Sequence, residues 1–271
     1  MKNYISLQIK CTDPELTGML VAELTRLGFQ GFEERETELL AYCEEDRYES
    51  TAVASLLAER GVSYLETLVK EQNWNAVWEE NFQPVCVEDF VAIRADFHLP
   101  VPGVGLEIII VPKMSFGTGH HATTYLMIRQ MRELDFREQT VLDFGTGTGI
   151  LAILAEKMEA GKITAIDLDD WSILNARENI AKNNCHKISV IQAASLLPGE
   201  TYDRILANIT RDVILENLPA MARALNPGGI LLLSGLLLEN EAEILAAAQI
   251  NFLKMKQIAR RDQWISILLG N

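Results

Sequence analysis

The chain has 271 residues, 48% hydrophobic and 23% charged, with 17 Gly and 8 Pro; this is a globular composition, long enough for two domains and unlike disordered or collagen-like sequence. Its formal charge is -14, and both parts are acidic, with 7 Lys and Arg against 13 Asp and Glu in residues 1–70 and 17 against 25 in residues 71–271. Tight non-specific binding to a phosphate backbone is not expected; a basic protein or a cationic small molecule suits the charge better, unless the acidic surface serves only solubility.

The opening MKNYISLQIK has no apolar core and no small-residue cleavage site, so no signal peptide is expected and the chain is expected to stay cytoplasmic. Tyr4–Cys11 alternates like a strand, and Asp13 precedes a helical pattern of Leu16, Leu20, Leu24 and Leu27 closed by Gly28. ETELLAYCEE reads as a strand, Tyr48–Arg60 as a helix and VSYLETLVK as a last strand. The order β-α-β-(β)-α-β over residues 1–70 predicts a small ferredoxin-like α+β domain, a scaffold without a fixed function. Residues 71–86 read as a helical linker. Trp74, Trp78 and Phe82 share one helical face, suited to packing on a domain or, alternatively, to an aromatic ligand cage, and Pro84 ends it.

Residues 87–271 are expected to form the second domain. VAIRADF and LEIIIVP are strand-like. Then TVLDF leads to a helix over about 149–158, KITAIDL to one over 171–184, ISVIQAA follows, and YDRILANI leads to a helix over 213–225 and to GILLLSG. Apolar strands alternating with amphipathic helices predict a Rossmann-like, doubly wound α/β sheet of seven strands. FLKMKQIARR and QWISILL can only be neighbouring strands, expected as an antiparallel hairpin at the sheet edge. The longest apolar stretch, ILLLSGLLL at 230–238, is about half the length of a membrane helix, so no membrane span is expected. Cys11, Cys43, Cys86 and Cys185 lie far apart without metal spacing and read as reduced, mostly buried thiols.

Gly145, Gly147 and Gly149 in VLDFGTGTGILAIL stand between a strand and a helix, where glycine permits positive φ and a close approach of backbone to ligand. Asp167, 22 residues beyond Gly145, ends the next strand, where a carboxylate accepts both hydroxyls of a ribose. Strand, loop, helix and acid together specify a nucleoside site. Ile150 stands where a dinucleotide fingerprint needs glycine, and Asp143 repels a pyrophosphate while attracting a cation. S-adenosylmethionine, with its sulfonium and ammonium, suits that edge; Asp143 either contributes the attraction or only braces the turn.

Asn208 in LANIT ends the fourth strand of the series, so Gly145, Asp167 and Asn208 share the carboxyl edge at which open α/β sheets bind ligands. Upstream, FGTGHHATT (116–124) places a mobile glycine loop, expected to gate the donor, before a helix faced by Leu126, Ile128 and Met131. Thr123 or Thr124 is the default cap of that helix. His120 and His121 are adjacent, point apart and have no third ligand at helical spacing, so no metal site is expected.

Together these stretches resemble the ribosomal protein L11 methyltransferases. FGTGHHATT is similar to that family's loop signature, VLDFGTGTGILAI to its glycine loop, and ITAIDLDDWSILNARENIAKNN to its second strand and helix. DRILANITRDVI and LNPGGILLLSGLL continue the match, and NWNAVWEENFQPV resembles the interdomain connector. The resemblance covers about residues 70–271; the first 70 match in topology and length. Ala122 departs from the proline usual in the signature, and Thr146 and Thr148 from Cys and Ser, but the glycines are kept. The resemblance implies a class I S-adenosylmethionine-dependent N-methyltransferase acting on lysine side-chain and N-terminal amines of ribosomal protein L11. It further implies an N-terminal domain that recognises the substrate and donor contacts from Thr124, Gly145, Asp167 and Asn208. Asn208 is expected to orient donor and amine in catalysis, a monomer is expected, and the charge makes direct nucleic-acid contacts unexpected. A methyltransferase of another protein or a small amine is the alternative. A nucleic-acid N-methyltransferase is disfavoured by the absence of an aromatic after Asn208 in ANIT, and an NAD enzyme by Ile150.

Overall fold

The chain folds as two units, Met1–Asn81 and Phe82–Asn271. The structure, a computed structural model, describes residues 3–35, 37–70, 82–111 and 119–271; Trp74 and Trp78 of the linker and residues 116–118 of the loop signature lie outside the described residues.

In the first unit Ile5, Leu7 and Ile9 alternate along β1 (Asn3–Lys10) and are buried, because successive strand residues face opposite sides of a sheet. They belong to one core with Leu20 and Leu24 of the helix Pro14–Arg26 and Val53 and Leu57 of the helix Ser50–Glu59, each pair one turn apart. Asp13 caps the first helix by accepting from the Glu15 amide at 3.0 Å, with Pro14 just inside it. β2 (Gly31–Arg35), β3 (Glu38–Glu44) and β4 (Tyr64–Lys70) complete an antiparallel sheet of order β2-β3-β1-β4, the ferredoxin-like arrangement that the element order predicts.

The second unit opens with a separate sheet of β5 (Val85–Val87), β6 (Val91–Ala95) and β7 (Leu106–Ile110), in which β6 and β7 run parallel. The large sheet comprises β8 (Thr140–Phe144), β9 (Lys162–Asp167), β10 (Ile188–Gln192), β11 (Tyr202–Asn208), β12 (Leu225–Leu237), β13 (Lys254–Arg261) and β14 (Trp264–Gly270), in the order β10-β9-β8-β11-β12-β14-β13. The first five of these are parallel; β14 runs antiparallel to β12, and β13 antiparallel to β14 at the edge. The strand order reverses between β8 and β11. Along β11, Leu206 joins the core that contains Ile128 and Leu154, while Ile205 and Ala207 join the core that contains Ile214 and Leu218. Strands covered on both faces by helices need apolar residues in both directions. The terminal hairpin is present as expected. The helix Glu241–Ile250 before it was not among the expected elements; it buries only Ile244 and Ala248, so its alanine-rich sequence carries no broad apolar face.

At the amino edge of the sheet Asp203 ties three strands together. Its Oδ2 accepts from the Thr140 amide (2.8 Å) and hydroxyl (2.7 Å) of β8, and its Oδ1 accepts from Asn226 Nδ2 of β12 (2.8 Å). Burial pushes this carboxyl up, but the hydrogen bonds from Asn226 and Thr140 together outweigh it and leave the pKa below the ordinary carboxylate value. A lowered folded-state pKa stabilises the fold above the unfolded-state value, and that contribution is lost as the pH falls through the folded one. Asp203→Ala is expected to lower the unfolding free energy by about 1–3 kcal/mol at neutral pH. In urea titrations the difference from wild type should shrink below about pH 4.

Candidate functional site

Phe144, the last residue of β8, pairs with Ile166 of β9 on one side and Ala207 of β11 on the other. The next residues along these strands and the loop are Asp167, Gly145 and Asn208. They therefore form one row across three adjacent strands about 4.8 Å apart, at the reversal of strand order where open α/β sheets hold their ligands.

Beyond Phe144 the chain must leave the sheet and enter the helix Ile150–Lys157 within five residues. It does so with Gly145, Gly147 and Gly149 at φ of +73°, +54° and +82°. A Cβ on Gly145 would lie 2.3 Å from Ile209 Cγ2, so any side chain there must displace the residue that follows Asn208.

Two carboxylates hold this loop. Asp143 is 1% exposed; its Oδ2 accepts from Thr146 Oγ1 (2.6 Å) and from the Ala152 amide (3.2 Å). Of the two roles the sequence leaves open for Asp143, these bonds are the bracing one. Its Oδ1 is buried without a hydrogen-bond partner among the described residues. Burial pushes its pKa up to about 6. Asp167 is half-buried at the end of β9. Its Oδ2 accepts from the Gly147 amide (2.8 Å) and its Oδ1 from the Asp169 amide (3.1 Å), which leaves further lone pairs on both oxygens.

Thr124 approaches from elsewhere in the chain. It is buried in the first turn of the helix Ala122–Met131, which packs on β12 and β14. The cap of this helix is His121 and not Thr123 or Thr124: His121 Nδ1 accepts from the Thr123 amide and lies 2.7 Å from Thr123 Oγ1. The histidine occupies the extended position before the helix, whereas both threonines already have helical backbone and turn inward. The His121 ring stands edge-on to Trp264 at 4.6 Å. Trp264 pairs with Leu237 at the carboxyl end of β12, so the N-terminus of this helix lies at the same sheet edge as the row. His120 turns away, with Nε2 3.0 Å from the Gln83 carbonyl and its ring edge-on to Phe82.

The structure thus brings Gly145, Asp167 and Asn208 into one row and sets Thr124 at the same edge. Its elements are a glycine loop closed to a side chain at Gly145, a half-buried carboxylate, and a buried acceptor without a partner among the described residues. Such a set fits a ligand bearing nucleoside hydroxyls and positive charge. Sequence reasoning did not single out Asp169, which caps the helix Asp170–Lys182 through the Ser172 amide (2.8 Å), or Asn175 and Asn179, both buried on that helix. Their signal is the four-residue spacing of asparagines in NARENIAKNN.

A family model described as ribosomal protein L11 methyltransferase (PrmA) matches residues 10–271. A ribosomal protein L11 methyltransferase of Porphyromonas gingivalis is 41% identical over 257 residues, which cover 92% of this chain and 89% of that protein. One of Chlorobaculum tepidum is 38% identical over 281 residues, covering 98% and 96%. Among solved structures, the ribosomal protein L11 methylase of Lactobacillus delbrueckii subsp. bulgaricus superposes with a TM-score of 0.66 at 29% identity, covering 70% of this chain and 98% of that one.

Asp143→Asn keeps an acceptor for Thr146 and Ala152 and removes the buried charge. Because the folded-state pKa of Asp143 is raised, its favourable contribution is complete at acid pH and disappears as the pH rises through about 6. Thermal melts should therefore show wild type losing stability relative to Asp143→Asn between about pH 4 and 6, with the difference constant above about pH 7.

Proposed function

Because the chain belongs to the ribosomal protein L11 methyltransferase family, we propose that it transfers methyl groups from S-adenosylmethionine to lysine side-chain and N-terminal amines of ribosomal protein L11. The observation that carries the site assignment is the row of Gly145, Asp167 and Asn208 at the reversal of strand order. When bound, S-adenosylmethionine supplies an electrophilic methyl group on a sulfonium. Asp167 accepts from the ribose hydroxyls, Gly145 lets the backbone come close, and Thr124 contacts the donor from the helix side. Asp143 braces the loop beneath the donor through Thr146 and Ala152.

The acceptor amine is the harder half of the reaction. Freeing a lysine lone pair at pH 7 means deprotonating a group about 3.4 pH units below its pKa, at about 4.6 kcal/mol. The row holds no histidine or glutamate to serve as base. Desolvation of the amine lowers its pKa, and Asn208 orients donor and nitrogen for in-line transfer. The ferredoxin-like unit holds the substrate, and the acidic balance of both parts favours a basic partner over nucleic acid. One chain carries Thr124, Gly145, Asp167 and Asn208, so a monomer suffices, working in the cytoplasm where this substrate is made. Among the described residues no helix is long and apolar enough to cross a membrane.

Intact-mass spectrometry of ribosomal protein L11 after incubation with this protein and S-adenosylmethionine should show a ladder of added methyl groups. Asp167→Ala should raise the donor Kd by about 10²-fold, since it removes charged acceptors. Asn208→Ala should lower kcat by about 10²-fold through misplacement. No mass gain beside clear calorimetric binding of the donor would move the substrate to another protein or a small amine. Removing residues 1–70 should abolish methylation of the protein while leaving donor binding intact; unchanged methylation would end the assigned role of that unit.

A further inference from the structure

Among the described residues the outer edge of β7 is not paired with a strand. Its backbone groups go instead to asparagine side chains on the helix Asp170–Lys182 and its C-cap. Asn183 Oδ1 accepts from the Ile109 amide (2.9 Å) and Asn183 Nδ2 donates to the Ile109 carbonyl (2.6 Å). Asn179 Oδ1 accepts from the Val111 amide (2.8 Å), and Asn175 Nδ2 reaches the Val111 carbonyl at 3.4 Å. The match is geometric for Asn179 and Asn183: four residues of helix rise about 6 Å and two residues of strand about 6.6 Å, so these two positions meet Val111 and Ile109.

Asn179 does more than cover an edge. Its Nδ2 also donates to the Thr148 carbonyl (2.8 Å) and to Asn175 Oδ1 (2.8 Å), and the side chain is fully buried with each polar atom partnered. Thr148 lies between Gly147 and Gly149, both at positive φ. Flanking glycines give its peptide groups little local steric preference, so their orientation must be set from outside. Asp167 fixes the Gly147 amide from one side and Asn179 fixes the Thr148 carbonyl from the other. Among the described residues the Asn183 side chain bonds to Ile109 and to the Asn179 carbonyl, so it shares the edge-covering role and not the loop contact.

We propose that Asn179 is a positioning residue for the methyl-donor site, holding the glycine loop and the end of β7 in one hydrogen-bonded network so that donor affinity and the Val111 amide are coupled. The inference rests on the donor site proposed above. Covering the edge of β7 does not by itself require the bond to the Thr148 carbonyl, and that bond is what ties the helix to the glycine loop.

Calorimetric titration of the full chain with S-adenosylhomocysteine, alongside steady-state kinetics, separates the alternatives. Asn179→Ala should raise the Kd and the donor KM by about 10-fold, with kcat at saturating donor within about threefold of wild type. Asn183→Ala should lower the Tm but change the Kd less than about twofold. In wild type, hydrogen exchange at the Val111 amide should slow when S-adenosylhomocysteine is added. Equal effects of the two substitutions on Kd, or no effect of Asn179→Ala, would overturn the assignment. If Asn179→Ala does not fold, Val111 exchange that ignores the ligand would overturn it instead. Failure of wild type to bind S-adenosylhomocysteine would remove the proposed function and the inference together, whereas binding that is indifferent to Asn179 removes only the latter.

Discussion

Five residues separate the end of β8 from the helix Ile150–Lys157, and three of them must take positive φ while Ile209 fills the space above the first. That backbone reversal sets what the surrounding groups can be. The Asp143 carboxylate braces it from beneath through Thr146 and Ala152, Asp167 holds Gly147 from the neighbouring strand, and Asn179 holds the Thr148 carbonyl from the helix behind. A loop rich in glycine loses much conformational entropy on ordering, so it stays in one shape only where several partners hold it. Here the partners come from a strand end, a helix interior and the loop's own flank.

The two ends of the central strands are built to different purposes, and their carboxylates show it. Asp203 at the amino edge has acceptor bonds on both oxygens, and its pKa is lowered. Asp143 at the carboxyl edge is buried with one oxygen unpartnered, and its pKa is raised. The first arrangement favours the ionised group and stabilises the sheet. The second leaves one buried oxygen without a partner among the described residues, and burial outweighs the bonds from Thr146 and Ala152. The same strands thus carry a structural tie at one end and a buried carboxylate that braces the glycine loop at the other.

Much of this was legible from residues near one another in the chain. The alternation of Ile5, Leu7 and Ile9, the strand before Gly145, the acid at the end of the next strand and the terminal hairpin all follow from local periodicity and backbone preference. The helix Glu241–Ile250 escaped because a two-residue buried stripe in alanine-rich sequence has no amphipathic signature. The cap at His121 escaped because threonine is the commoner capping residue; the extended backbone of His121 and its bond from the Thr123 amide show which residue stands outside the helix.

The sequence by itself determined most of the elements, where the glycine loop turns and which carboxylate ends the second strand, because φ preference and side-chain period act over a few residues. The tertiary structure alone decided that Asp167, Gly145 and Asn208 stand in one row, that Thr124 comes to the same edge from a helix far upstream, and that Asn179 joins the loop to β7. Register and strand order are set by pairing between segments tens of residues apart, and no local pattern carries that distance.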